Sequence, residues 1–179
     1  VSLSDHAYAL TYFQKALAIV EEIGSKEGIA GNLTCIGNVY LSLSDFARAF
    51  TYFQKALSIY EEIGNINDSA INLGNIGVVY LNLSDYTNAL TYFQKALAIN
   101  ESTGRKDGIA FNLERIGSMY AHQKFEGFDP QKAHEFLQKA MAIDLEIGNK
   151  LSLYNVHKCL ANLYEVEKRW EEAFEHFKK

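Results

Sequence analysis

Apolar residues recur along this chain at the spacing of one helix face, in two alternating kinds of segment. In the longer kind they lie three and four residues apart, which is typical of an amphipathic helix. One such face is Phe46, Ala49, Phe50, Phe53, Ala56, Leu57, Tyr60 and Ile63. A shorter kind lies between the long ones, and one example has the face Ala70, Leu73, Ile76, Gly77 and Tyr80. We therefore predict long helices, named B helices, alternating with shorter A helices.

The string TYFQKALAI at residues 11–19 returns at 51–59 with one change and at 91–99 unchanged. A more divergent copy, EFLQKAMAI, occupies residues 135–143, so successive copies begin 40, 40 and 44 residues apart. A fixed period of about 20–50 residues marks a solenoid of stacked supersecondary units. The predicted fold is all-α: a right-handed α-α superhelical solenoid of helix-turn-helix repeats with about nine helices.

The period also predicts the domain organisation, which is one solenoid over residues 1–179. It comprises a half repeat and four repeats, the last incomplete: 1–24, 25–64, 65–104, 105–148 and 149–179. The A helices are expected at about 26–42, 66–82, 106–122 and 150–166. A last B helix is expected from about Arg169. Since the chain opens at Val1, almost at a helix start, we expect a fragment of a longer protein.

Local signals mark the ends of the predicted helices. Ser4-Asp5, Ser44-Asp45 and Ser84-Asp85 are N-cap signals, because their side chains accept hydrogen bonds from the first helical N–H groups. Glycine ends the B helices, at Gly24, Gly64, Gly104 and Gly148. A second glycine set lies inside the A helices, at Gly37, Gly77 and Gly117. Glycine costs about 1 kcal/mol relative to alanine inside a helix, so its recurrence predicts close helix–helix approach there.

The third repeat carries four extra residues between its A and B helices, in the segment 123–130. Asp129 is the predicted cap of the following helix, and Pro130 is its first residue. Phe125 and Phe128 lie in this loop, an unusual place for large apolar side chains. Insertions in repeat proteins map to loops that often belong to the binding face, so both are candidate binding residues.

Composition excludes several classes of protein. The net charge is −5 with both signs mixed along the chain, so nothing recommends nucleic acid as a partner. Apolar runs are too short for a membrane span. Cys35 and Cys159 lie three repeats apart, too far for a disulfide. We therefore predict free thiols, a reducing compartment and a cytoplasmic location.

The repeat resembles the tetratricopeptide family over the whole chain. The family's small, Leu, Ile, Gly, Tyr, Ala, Phe, Ala pattern is met by Ala30, Leu33, Ile36, Gly37, Tyr40, Ala49, Phe53 and Ala56, and the next repeat matches it equally. The third repeat supplies Ala110, Leu113, Ile116, Gly117, Tyr120, Ala133, Phe136 and Ala140. The fourth departs at His157 and Ala161 but keeps Leu160, Tyr164, Ala173 and Phe177. The period exceeds the family's usual 34 or so residues, and this longer form resembles kinesin light chains, spindle-orientation scaffolds and bacterial regulatory arrays.

The resemblance implies a concave face lined by the A helices. Their outward positions are the predicted peptide-binding groove: Asn38, Ile71, Asn75, Val78, Asn82, Phe111, Arg115, His122, Lys158 and Asn162. The same phase includes Thr34, Gly74, Glu114 and Cys159. Asparagine side chains donate and accept hydrogen bonds, which suits an extended peptide backbone. Taken singly, each such residue is equally typical of a solvated helix face, so the prediction rests on the set.

The predicted function is a non-catalytic scaffold that binds a protein or peptide segment. The alternative is a sensor or regulatory part of a larger signalling protein such as a kinase, cyclase or transcription regulator. No nucleophile motif or phosphate loop is present, and the five histidines lack metal-ligand spacing. We therefore expect no catalysis, no cofactor and no metal.

Two further expectations concern partners. Some family members clamp a carboxylate with two lysines, two asparagines and an arginine. Asn38, Asn75 and Arg115 match that set, but Thr34 and Phe111 replace the lysines, so this clamp is not expected. Solenoid ends need polar caps, and their lack predicts self-association through the uncapped ends, at Tyr8, Tyr12 and Leu17 and at Trp170 and Phe174.

Overall fold

A computed structural model describes residues 3–169, 172, 175 and 176, and this part of the chain is built of α-helices. Eight helices are assigned in it: α1 Leu3–Ile23, α2 Lys26–Ser42, α3 Phe46–Glu62, α4 Ile66–Asn82, α5 Tyr86–Thr103, α6 Lys106–Tyr120, α7 Pro130–Ile147 and α8 Lys150–Val166. The odd-numbered helices are the B helices and the even-numbered ones the A helices. The all-α prediction is confirmed. Most of the predicted ninth helix, with Trp170, Ala173, Phe174 and Phe177, lies outside the described residues.

The chain divides into two compact units, Val1–Tyr92 and Phe93–Lys179, and the division falls inside α5. In the first unit α2 packs on α1 and α3, and α4 packs on α3. In the second unit α6 packs on α7, and α8 packs on both. One solenoid over residues 1–179 stays a prediction. Among the described residues we find no helix that combines the length and the apolar character of a membrane span.

The first unit has its core where α3 lies against its neighbours. Phe53 and Ala49 of α3 are fully buried there, together with Ile36 of α2 and with Ile76 and Val79 of α4. Tyr52 stacks on Tyr40 at a ring-centroid distance of 5.4 Å. Alternation of alanine with a large ring along α3 leaves room for the neighbouring helix, so the backbones approach closely.

The second unit has an equivalent core, in which Leu137 occupies the place of Phe53. Leu137, Ala133 and Ala140 of α7 are fully buried against Leu160 and Leu163 of α8. The assignment of Phe136 to the family's buried phenylalanine position is therefore wrong by one residue. Phe136 is half-buried and stacks on Tyr120 at 5.7 Å, as Tyr52 does on Tyr40.

The predicted glycines behave as their two positions require. Gly24, Gly64, Gly104 and Gly148 follow the B helices with φ between +70° and +73°, a conformation that costs glycine little. At Gly37 an added Cβ would lie 2.6 Å from the Phe53 ring, and at Gly117 it would lie 2.8 Å from Leu137. Close approach at these two glycines is confirmed.

The N-cap predictions are confirmed at three B helices and wrong at the first. Asp45, Asp85 and Asp129 each accept a hydrogen bond from the backbone N–H three residues ahead, at 3.1 Å. The described part of α1 already includes both Ser4 and Asp5, so this pair does not precede the helix as predicted.

Candidate functional site

The predicted groove residues of the first unit lie on α2 and α4. Ile71, Asn75, Val78 and Asn82 follow one another at helical spacing on α4, and Asn38 is exposed on α2. Ile71 is 39% exposed, Asn82 is exposed, and Asn75 and Val78 are half-buried. Amide and aliphatic side chains thus alternate along α4. We call these five residues the first-unit surface.

A hydrogen-bond network beneath this surface joins α2, α3 and α4. The Thr34 hydroxyl donates to Asn72 Oδ1 at 3.1 Å, and the Asn72 amide donates to the Asp68 carbonyl at 3.0 Å. Tyr60 of α3 also hydrogen-bonds Thr34, and burial is the main cause of its raised pKa. Asn72 is fully buried, and the bond that it accepts from Thr34 links α4 to α2 and restrains the rotation of α4.

This network was not predicted from the sequence, although its signal is present in the repeat. Asn32, Asn72 and Asn112 are spaced by 40 residues, and each donates to the backbone carbonyl four residues earlier. Gly74, predicted to face outward, is buried.

In the second unit the predicted residues lie on α6 and α8. The Arg115 guanidinium lies over the Phe111 ring at 5.1 Å, a cation–π contact. Lys158 and Asn162 are exposed one turn apart on α8. We call these four residues the second-unit surface. It carries positive charge and an aromatic ring, whereas the row of residues on α4 is neutral.

His122 does not belong to an A helix. Helix α6 ends at Tyr120, two residues before the predicted end, because the inserted segment turns the chain away there. The Asp129 N–H donates to the Tyr120 carbonyl at 3.0 Å. The Asp45 N–H donates to the Tyr40 carbonyl in the same way, at a helix–helix junction without an insertion. The extra residues therefore form a loop that leaves this junction and returns to it.

The two loop phenylalanines have different environments. Phe125 is half-buried, its ring lies 5.8 Å from that of Tyr120, and it covers the space beside Gly127. Phe128 is 36% exposed. Phe125 therefore holds the loop together, and Phe128 is the member of the pair that a partner can reach.

Acidic groups are buried beneath the second-unit surface. The helical phase of α6 had instead predicted that Glu114 faces outward. Glu114 is only 4% exposed. Its Oε2 lies 3.4 Å from Arg115 Nε, and the Cys159 thiol donates to its Oε1 at 3.8 Å. Burial raises the pKa of Glu114, and burial together with the nearby Glu114 raises the pKa of Cys159 to about 12. A thiol with so high a pKa favours its protonated form at neutral pH, which is the less reactive form of cysteine.

Asp144 of α7 is fully buried, and its charge acts on the nearby Glu114. Its Oδ2 accepts a hydrogen bond from the Ser152 hydroxyl at 2.5 Å, while its Oδ1 has no partner in the described part of the chain. Burial raises the pKa of Asp144, and the charge of Asp144 contributes to the raised pKa of Glu114. The two carboxyls therefore repel each other when both are ionised.

Cysteine and histidine side chains are further groups that can act as nucleophiles or metal ligands. Cys35 and Cys159 are free thiols, as predicted. His157 and His176 are brought together with their Nδ1 atoms 2.8 Å apart, and His134 Nε2 lies 3.0 Å from Glu167 Oε2. Within the described residues no group of three or more His, Cys, Asp or Glu side chains has a metal-binding arrangement.

Solved structures with the same fold share little sequence with this chain. BtubC (BKLC) from P. vanneervenii matches with a TM-score of 0.79 at 18% identity, over 96% of this chain and 70% of its own. Aspartyl phosphate phosphatase F from Bacillus subtilis matches with a TM-score of 0.79 at 19% identity, over 98% of this chain and 54% of its own. This chain therefore spans about half the length of that phosphatase. A Podosopora anserina putative kinesin light chain with nearly identical repeats matches with a TM-score of 0.72 at 15% identity, over 98% and 84% of the two chains.

The sequence itself matches a family model. None of the curated proteins matches this sequence. The model of the tetratricopeptide repeat matches three overlapping stretches, residues 2–62, 28–102 and 67–146. With the 40-residue period, the alternating A and B helices and the glycine–ring contacts, this shows that the chain belongs to the tetratricopeptide repeat family.

Proposed function

We propose that this chain is a non-catalytic scaffold that binds a protein or peptide segment through the outward face of its A helices. The observation that carries the proposal is the row Ile71, Asn75, Val78 and Asn82 on α4. Amides that bond peptide groups alternate there with aliphatic side chains that accept apolar ones. Thr34 bonds both Tyr60 and Asn72 beneath this row, and such a pre-ordered helix lowers the ordering cost of binding.

The second-unit surface suits a partner that carries acidic or aromatic side chains. Lys158 is exposed and available as a cation, and Phe111 offers a partly accessible ring. Arg115 differs, because it also neutralises the buried Glu114. Free thiols at Cys35 and Cys159 favour a reducing compartment such as the cytoplasm.

We predict that peptides selected against the whole chain from a displayed random library will depend on Asn75 or on Lys158. Asn75→Ala should weaken the peptides that bind the first-unit surface about tenfold, and Lys158→Ala should weaken those that bind the second-unit surface by the same factor, the loss of roughly one well-formed polar contact. Isothermal titration measures the effect. Arg115→Ala is a poor test because it leaves the Glu114 charge buried without its counterion.

Gln54→Ala is the matched control, since Gln54 is an exposed polar residue on the B helix α3. It should leave the affinity unchanged. Selected peptides that bind Asn75→Ala and Lys158→Ala as tightly as they bind the unmodified chain would contradict the proposal.

A further inference from the structure

Glu114 and Arg115 form an ion pair in which the acid is buried and the base reaches the surface. Glu114 is 4% exposed, whereas 31% of the Arg115 side chain is exposed. Glu114 Oε2 lies 3.4 Å from Arg115 Nε, and that nitrogen makes no hydrogen bond among the described residues. The two groups are therefore held together by charge alone. An anion that reaches Arg115 from solvent competes with Glu114 for the same cation.

This ion pair is not a general requirement of the repeat. The three other full or partial repeats carry neither a carboxyl nor an arginine at these two positions, which hold Thr34-Cys35, Gly74-Asn75 and Lys158-Cys159. Burying a carboxylate is unfavourable unless it is paired. The acid and its cation are therefore a local addition to the second-unit surface.

The titratable groups that act on Glu114 come from three helices. Arg115 lies beside it on α6, Asp144 faces it from α7, and Cys159 faces it from α8. Burial is the main cause of the raised pKa of Glu114; Arg115 and Cys159 oppose this rise, and Asp144 adds to it. The pKa of Cys159 is itself raised to about 12, so its thiol carries no charge near neutral pH. Arg115 is thus the cation that opposes protonation of Glu114.

Lys158 of α8 supplies a second cation near Arg115. The charges of both oppose the raised pKa of Cys159, so both cations lie near that thiol. The Arg115 guanidinium also lies over the Phe111 ring, at 5.1 Å. Two cations beside an aromatic ring favour an anionic side chain by charge complementarity. Such an anion would repel the Glu114 carboxylate while taking up part of the positive charge of Arg115.

We infer that Glu114 takes up a proton from solvent when an anionic side chain of a partner binds at Arg115 and Lys158. The inference rests on the proposed function of the second-unit surface and adds a regulation to it. The partner brings one negative charge, and the proton on the Glu114 carboxylate cancels it. Arg115 then pairs with the partner and no longer with Glu114. The affinity for acidic segments therefore rises as the pH falls.

The pH range of this effect follows from the two states of Glu114. In the free protein Arg115 stabilises the ionised carboxyl, and in the complex it does so less, so the pKa of Glu114 is higher in the complex. Between the two pKa values binding takes up a proton, and the affinity increases as the pH falls. Outside that range Glu114 has the same charge in both states and the affinity is constant. A difference of about one pKa unit gives about a tenfold change in Kd.

The first experiment titrates the whole chain with acetyl-phenylalanyl-cysteic acid amide, followed by NMR signals of Phe111 and Lys158. The sulfonate of this probe stays negative at every pH used, so the probe adds no pH dependence of its own. Its Kd should be about tenfold lower at about pH 5 than at about pH 8. Acetyl-phenylalanyl-alanine amide is the matched uncharged probe, and its Kd should not change with pH.

Glu114→Gln provides the comparison, because glutamine has the shape of a protonated glutamic acid and still accepts a hydrogen bond from Cys159. This variant should bind the charged probe at about pH 8 as tightly as the unmodified chain does at about pH 5, without further pH dependence. Histidine side chains gain charge in the same range, but their effect would persist in the variant. Lys158→Ala should weaken the charged probe at every pH.

The coupling is also measurable without a probe. Lys158→Glu places a negative charge on the second-unit surface and should raise the pKa of Glu114 by about one unit. Carbon NMR of the Glu114 carboxyl across the pH range measures it. Lys139→Glu is the matched control, because Lys139 is exposed on α7 and is not among the groups that act on Glu114. It should leave the pKa of Glu114 unchanged.

Two results would overturn the inference. One is an equal pH dependence of Kd in Glu114→Gln and in the unmodified chain, and the other is an unchanged pKa of Glu114 in Lys158→Glu. Both leave the proposed function intact where Lys158→Ala still weakens the charged probe. A probe that shifts the signals of neither Phe111 nor Lys158 in any variant would contradict the second-unit surface as a binding site, and the inference would fall with it.

Discussion

Alanine in place of Gly37 should destabilise the protein by about 1–3 kcal/mol, the usual cost of forcing extra volume into a packed core. The new Cβ would lie 2.6 Å from Phe53 Cε1 and 2.8 Å from Cδ1. Phe53 cannot move aside, because it is fully buried among Ile36, Ala49 and Ile76. The strain therefore exceeds the gain of about 1 kcal/mol that alanine brings to a helix interior. Urea unfolding followed by circular dichroism measures the difference.

Gly31→Ala is the matched control in the same helix. A Cβ at Gly31 would meet only the Tyr60 hydroxyl, at an ordinary 3.6 Å. The substitution should therefore be neutral or stabilising by up to about 1 kcal/mol, opposite in sign to the change at Gly37. If both alanines changed the stability in the same direction, the close approach of α2 and α3 would not be the reason for the glycine.

A double-mutant cycle identifies the contact responsible. Leu137 occupies the place of Phe53 in the second unit and packs over Gly117, so leucine is compatible with this site. Phe53→Leu should be destabilising alone but should recover part of the loss caused by Gly37→Ala. A coupling energy above about 0.5 kcal/mol is expected for residues in direct contact, and strict additivity would contradict the mechanism.

Most of the helical framework was predictable because its signals are local and repeated. Apolar spacing gave the helices, and Gly24, Gly64, Gly104 and Gly148 gave the ends of the B helices correctly. The error at Phe136 arose where the repeat diverges. There an aromatic residue next to Leu137 matched the family pattern better than the leucine that fills the site.

Helical phase predicted which site residues share a face of one helix, but not which of them neighbouring helices bury. Phase placed Ile71, Asn75, Val78 and Asn82 on one face of α4. It also placed Glu114 outward, because a single helix does not reveal that Arg115, Cys159 and Asp144 enclose that carboxyl. Burial of a polar residue depends on the neighbouring helices. Asn72 shows that the repeat can still signal it, through recurrence of the same residue at 32, 72 and 112.

Asp144 stands where the preceding repeats carry Tyr60 and Asn100, which are uncharged. It is fully buried, one of its oxygens has no partner among the described residues, and Glu114 lies close enough to repel it. Repeat architecture thus accepts a neutral residue at this position. Burying the carboxylate of Asp144 lowers the free energy of unfolding, and an amide at this position would not.

Asp144→Asn should therefore stabilise the protein at about pH 8, by about 1–3 kcal/mol, the cost of a buried polar group without a partner. The sign follows from the raised pKa of Asp144. Below the unfolded pKa of about 3.9 the carboxyl is protonated in both states and its ionisation costs nothing. As the pH rises through the higher folded pKa, the unfolded chain ionises first, so the wild-type contribution to stability is lost. The advantage of asparagine should grow from near zero at about pH 4 to its full value above the folded pKa.

Urea unfolding of both proteins across this pH range measures the difference, and Glu146→Gln is the control. Glu146 lies two residues away on α7 but is exposed, with its side chain 59% accessible beside Lys106, so its replacement should change stability by less than about 1 kcal/mol. Carboxyls whose pKa is lowered, such as Asp45, Asp107 and Asp129, destabilise both proteins equally in acid and cancel in the difference. Because Ser152 can still donate to the asparagine carbonyl, a loss of stability at about pH 8 would mean that the second carboxylate oxygen of Asp144 makes an interaction the fold needs.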